Sequence, residues 1–324
     1  MPKVWGGRRL AKLGKNLPAS ANVGANVGES WELADLAATS ASGGGGAAAR
    51  SVISNGPLAG KTLHDAMTLW GAGLIGAAKH AATGSSSSAF PLLIKFLDAN
   101  ENLSVQVHPS PAYAATHPEA HLKTESWYIL EAEPGSVIYK GIKPGVTRAD
   151  FERHIADGTV VSDLISIPAV VGDCHNLPSG TCHALGAGVL VAEVQTPSDT
   201  TFRVFDWGRT GRELHVKQSL ECIDFSPSQA DLDALRTARL TAHAPGGRLV
   251  KTEFFTIDEL RVPAGASVPM RGCVVVIVLR GGGAVDWPAG RAVVNAGRTM
   301  LVPASTSAVF RSAEATTILV VGLG

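Results

Sequence analysis

The stretch "KFLDANENLSVQVHPS" (residues 95–110) carries Gln106 and His108 two positions apart in an apolar run that Pro109 closes. Successive side chains of a strand point to opposite faces. Leu103, Val105 and Val107 therefore share one face, and Ser104, Gln106 and His108 share the other. A strand whose polar face meets only water is expected to carry Thr, Lys or Glu there. An amide and an imidazole side by side are instead donor groups suited to a metal or a ligand.

Around this stretch the chain repeats one pattern. Short β-type runs such as "SVIYKGI", "GVLVAEVQT", "TFRVFDWG", "VVVIVLRGGGAV" and "RTMLVPAS" are punctuated by Gly and Pro. Many short strands at such spacing predict a mainly β protein built of jelly-roll sandwiches or barrels. Helical signals are few. "LHDAMTLWGAGLIGAA" (63–78) has helical spacing, "TRADFERHIADG" (147–158) opens on Thr147 with Asp150 three residues on, and "SQADLDALRTAR" (228–239) opens on Ser228. The composition shifts near "TAHAPGGRLVKTEFF" (241–255), so we expect residues 1–243 to form the site-bearing domain and 244–324 a smaller barrel. That second unit has no histidine, so any imidazole-bound metal belongs to the first. "ATSASGGGGAAARS" (38–51) and "TGSSSS" (83–88) are expected to be loops.

Composition narrows the function. Of 324 residues, 45% are apolar and 17% charged, as in a folded soluble chain. Lys+Arg and Asp+Glu balance at 28 each, which points away from nucleic acid and anionic membranes as partners. The longest apolar runs, "CVVVIVL" (273–279) and "TTILVVGLG" (316–324), are strand-sized, and no secretory pattern opens the chain. Cys174, Cys182, Cys222 and Cys273 show no Cys-x-x-Cys spacing, and buried thiols in a reducing cytoplasm are expected. "GPLAGKT" (56–62) imitates a phosphate-binding loop, but only three residues separate Gly56 from Gly60, one fewer than that motif requires.

Three further segments repeat the pattern. Lys123, Glu125 and Trp127 share a strand face in "KTESWYIL". In "SGTCHALGAGVLVAEVQ" His183 follows a Gly turn, and Glu193 and Gln195 share a face of the next strand. Thr201, Arg203 and Phe205 share one in "TTFRVFDWGR". Singly, each fits a solvent-facing strand. Together they predict one polar cavity inside a jelly roll. Gln106, His108, Glu125 and His183 supply two imidazoles, a carboxylate and an amide oxygen, a set that suits Zn²⁺ with one position open and equally accepts Fe²⁺, Mn²⁺ or Co²⁺. His175 lies on the approach to the turn, and His117 and His121 lie in the loop between ligand strands; none of these is expected to be a ligand.

"FPLLIKFLDANENLSVQVHPS", "KTESWYIL" and "PSGTCHALGAGVLVAEVQTPSDTTFRVFDWGR" resemble type I phosphomannose isomerases (mannose-6-phosphate isomerases), and "VWGGRRLAKLGK", "GESWELAD" and "SNGPLAGKTL" are similar to that family's opening segments. The likeness is dense over residues 4–220 and looser over the tail, with the Gly-rich stretch 43–46 as a departure. It implies a compact, bacterial-type member of the cupin superfamily that converts mannose 6-phosphate to fructose 6-phosphate through a cis-enediol. One Zn²⁺ per chain would sit on Gln106, His108, Glu125 and His183. Arg203, Glu193 and Lys123 would take the catalytic positions, and Lys217 and Trp127 would bind substrate. Glu193 is then the expected base, with positioning of a zinc ligand as its alternative role. Lys123 would assist ring opening, Arg203 would steady the enediolate or the phosphate, and Lys217 would hold phosphate. A non-catalytic sugar-phosphate-binding sensor is the competing function. A cupin oxygenase fits less well, since such sites seldom carry Lys and Arg for an anionic substrate. Nothing in the chain decides between monomer and dimer.

Overall fold

The computed structural model describes residues 1–17, 26–40, 46–83, 89–225 and 246–324. Its architecture is mainly β. In one sheet Pro2–Gly7, Leu93–Ala99, Val189–Gln195, Glu125–Ala132 and Cys174–Leu177 lie in that order, and Glu29–Leu33 also pairs with Leu93–Ala99. A second sheet runs Phe202–Phe205, Val105–Val107, His183–Leu185, Val137–Ile142, Leu164–Pro168, and every pairing in both is antiparallel. The two face each other across Leu97, Trp127, Ile129, Ile138, Leu185 and Val191. Residues 246–323 build another pair of sheets, of five and four strands. These are jelly-roll sandwiches of paired open sheets; among the described residues the strand pairings close neither into a cylinder.

Strand runs such as "LLIKFL" and "VLVAEV" are apolar on both faces because both faces are covered. Outside the first sheet, Ile94, Phe96, Leu190, Ala192 and Val194 pack against Ile257, Val275, Ile277, Leu319 and Val321 of the second sandwich. Outside the other sheet, Val105, Val107, Ala184 and Val204 pack against Phe151, Ile155 and Leu220 of the helices Arg148–Ala156 and Val216–Cys222. Each such side chain contributes about 1.5–3 kcal/mol by leaving water. Tyr128 Oη also donates across the joint to Glu259 Oε2 at 2.9 Å.

Thr147 and Asp150 form the capping box their spacing predicts. The 63–78 pattern does not run as one helix. Gly71 (φ +43°) and Gly76 (φ +91°) divide it into Leu63–Trp70, Ala72–Ile75 and Ala77–Thr83. "GPLAGKT" ends on Thr62, whose hydroxyl and Asp65 form the capping box of Leu63–Trp70, so its last residue starts a helix with no strand leading in. The expected helix at 228–239, the boundary at 243/244, and residues 41–45 and 84–88 of the two loop patches lie outside the described residues. All four cysteines are buried.

Candidate active site

The facing strands set His108, Glu125 and His183 together at one end of the first sandwich. Cross-strand register places His183 opposite Gln106, and Gln195 opposite Glu125. The three residues are fully buried, and their candidate ligand atoms lie within 4.8 Å of one another. His108 Nδ1 lies 3.2 Å from Thr200 O and His183 Nδ1 lies 2.8 Å from Thr181 O. A carbonyl only accepts, so both Nδ1 atoms donate and both Nε2 atoms present lone pairs.

Those lone pairs point at a carboxylate. His108 Nε2 lies 3.2 Å from Glu125 Oε2, and His183 Nε2 lies 3.2 Å from Glu125 Oε1. Burial, and then Lys123, push the His108 imidazole down to about 3, so it is neutral at physiological pH. Burial opposes charge on Glu125, but Lys123 at 2.7 Å together with His108 and His183 outweighs it and holds the carboxyl well below the usual range. His108 Nε2 and Glu125 Oε1 have no hydrogen-bond partner, and Glu125 Oε2 has its ion pair with Lys123. Acceptors converging on acceptors repel unless a cation lies between them, and buried unsatisfied groups cost about 1–3 kcal/mol each. This donor set fits a divalent metal. Gln106 adjoins the cluster, its amide Nε2 being 3.2 Å from His183 Nε2.

Beside this cluster opens a cavity of about 280 Å³. Gln106, Lys123, Glu193 and Arg203 line it, as does Thr201. So do Lys95, Glu29, Trp31 and Arg212, which strand patterning did not single out. Lys95 was the legible one: a lone cation in "FPLLIKFLDA" on a strand buried throughout. Burial acts to discharge it, but Glu193, Glu29 and Glu125 prevail and raise its pKa. Its Nζ is 3.2 Å from Glu193 Oε1, donates to Gln195 Oε1 at 2.9 Å, and lies 4.8 Å from the Trp31 ring centre.

Three expected placements are corrected. Trp127 does not line the cavity. It is buried behind it, donates from Nε1 to Glu193 Oε2 at 2.9 Å, and sets its ring edge-on to His183 at 5.3 Å. Lys217 lies exposed on Val216–Cys222 and is not among the cavity's lining residues. Phe205 leaves the face of Thr201 and Arg203 because the register shifts between Arg203 and Phe205, and it packs near Trp207 instead. Trp207 then adopts φ +56°, anchored by Nε1 to Leu103 O at 2.6 Å, and the chain turns back at once. That reversal returns Arg212 to the cavity, where buried Asp206 grips both it and Arg209. Arg203, 9% exposed, donates from Nη1 to Glu213 O at 2.6 Å while its Nε has no partner. Of the other histidines, His175 is buried with neither ring nitrogen hydrogen-bonded, and burial, then Lys140, push it down to about 4.

Fold and site define a cupin-type protein whose first sandwich holds a two-histidine, one-carboxylate metal-binding cluster beside a cationic cavity. Residues 3–138 match the family model "Phosphomannose isomerase type I, catalytic domain". The chain belongs to the type I phosphomannose isomerase family. It is 32% identical to a mannose-6-phosphate isomerase of Streptococcus mutans, over 93% of this chain and 89% of that one. The crystal structure of the mannose 6-phosphate isomerase from Bacillus subtilis superposes with a TM-score of 0.80 at 26% identity, covering 100% of this chain and 97% of that one. A putative mannosephosphate isomerase from Archaeoglobus fulgidus, at 20% identity, shares the fold with a TM-score of 0.76 over 100% of this chain and 94% of that one.

Proposed function

We propose that this protein interconverts mannose 6-phosphate and fructose 6-phosphate with one Zn²⁺ held by Gln106, His108, Glu125 and His183. The observation that carries the reading is the meeting of two imidazole lone pairs with the buried Glu125 carboxylate at the edge of a cavity carrying Lys95, Lys123, Arg203 and Arg212. Bound there, Zn²⁺ would act as a Lewis acid worth several kcal/mol to charge developing on the substrate's oxygens.

The chain's own groups supply the rest. Glu193 takes the proton from C2 and returns it at C1, which passes through a cis-enediol. Trp127 and Lys95 fix its two oxygens, so its free motion is small. Lys123, buried beside Glu125, gives a proton to the ring oxygen as the sugar opens and regains the one released by the anomeric hydroxyl. Arg203 and Arg212 hold the phosphate, since guanidinium forks match its geometry; Arg212 takes the part expected of Lys217. Among the described residues no helix is long and apolar enough to cross a membrane. The four buried cysteines, none in a Cys-x-x-Cys pair, support a cytoplasmic setting.

The test is turnover of mannose 6-phosphate on purified protein before and after chelation, with bound metal measured in parallel. Activity lost with the chelator and restored by Zn²⁺ supports the reading. No turnover in a folded, zinc-loaded sample makes the cavity a sugar-phosphate sensor.

A further inference from the structure

A second cavity, of about 620 Å³, lies between the loop at residues 51–58, the helices Leu63–Trp70 and Ala72–Ile75, and the second sandwich. The strand Glu29–Leu33 is its partition from the catalytic cavity: Glu29 and Trp31 line the catalytic side, Glu32 and Leu33 this one. Backbone hydrogen bonds fix its walls. Ala304 N–H donates to Leu74 O at 2.8 Å and Ser305 N–H to Gly73 O at 2.9 Å, which ties the helices to the second sandwich. Leu63 N–H donates to Ser51 O at 2.8 Å and ties them to the loop. The space is therefore preformed and lies in the size range of sites for small molecules.

Its chemistry is opposite to that of the catalytic cavity. Among the described residues Glu32 is the only charged group in the lining, and Lys15 and Ser30 already engage its two oxygens at 2.6 Å each. No lining cation is available to a phosphate. The walls include Trp70, Trp287, Thr299 and Leu301. Val52, 66% exposed, and Leu69, 58% exposed, also line it.

We propose that this cavity is a binding site for an uncharged aromatic small molecule, separate from the isomerase site. Aromatic walls and the lack of a free charge select the ligand. The site stands whether or not the isomerase reading does.

The experiment is a titration of the full-length protein with the uncharged probe N-phenyl-1-naphthylamine, followed by its emission under tryptophan excitation. Saturable binding that persists in saturating mannose 6-phosphate is expected. Leu69→Lys and, on a separate segment of the lining, Val52→Lys each weaken it roughly tenfold or more, because a charge is brought against an apolar wall. Both keep the wild-type turnover and melting temperature, and the pair guards against misfolding of either one. Absence of saturable binding, full displacement by mannose 6-phosphate, or undiminished binding in both lysine variants overturns the proposal.

Discussion

The two sandwiches share an architecture and differ in what they enclose. Between its sheets the first buries His108, Glu125, His175, His183 and Glu193 among apolar residues. The corresponding space in the second holds Val276, Val278, Val285, Phe310 and Ile318. Apolar interiors are stabilised by burial alone, whereas ionisable ones require a partner for every charge. The first meets that requirement with Lys123 on Glu125, Lys95 and Trp127 on Glu193, and a donor set fit for a metal. The second needs none of this, and its outward face covers the sheet that carries Glu125 and Glu193. One fold thus serves as a site in one copy and as a wall in the other.

The comparison is broken most severely by Glu125→Ala. Removing the only carboxylate of the cluster leaves two facing imidazoles, and both bound metal and turnover should disappear, as elemental analysis and the isomerase assay will show. Glu193→Gln should keep the metal and lower kcat by about 10²–10⁴; loss of metal instead would make Glu193 a positioning residue. Arg212→Ala should reduce kcat/KM by roughly 10–100-fold, largely through KM, while Lys217→Ala leaves both constants unchanged. In the second sandwich, Ile277→Ala should cost about 2–5 kcal/mol in denaturant melts, yet leave turnover per folded molecule intact.

The smallest effect concerns acid. His175 is pushed down from 6.5 to about 4, chiefly by burial. Below pH 6.5 the unfolded chain binds a proton there that the folded chain refuses. The stability this residue contributes is therefore full above 6.5 and is lost as pH falls toward about 4. His175→Phe should move the midpoint of acid unfolding to lower pH. An unchanged midpoint would mean that the first interior is no more sensitive to acid than the second.

Much of the site was legible because a strand has a period of two. Gln106, Glu125, His183, Glu193 and Arg203 could be assigned to faces from spacing alone, and register then brought those faces together. His108 falls one residue past Val105–Val107 and keeps its face. The helix at 63–78 was misread where glycine matters: Gly71 at φ +43° and Gly76 at φ +91° end helical turns that the apolar spacing would have continued.

By itself the sequence determined the class of the fold, the choice of His108, Glu125 and His183 as candidate donors, which the structure brings together, and the absence of histidine from the second sandwich. All of these follow from side-chain chemistry and strict alternation. Only the tertiary structure decided that Lys95 and Arg212 face the cavity, that Trp127 stands behind Glu193, and that Lys217 faces solvent. The physical reason is that alternation assigns a residue to a face and is silent on how a loop returns. Arg212 reaches its place through a register shift, a left-handed Trp207 and the grip of Asp206, and these contacts exist only once distant segments have packed.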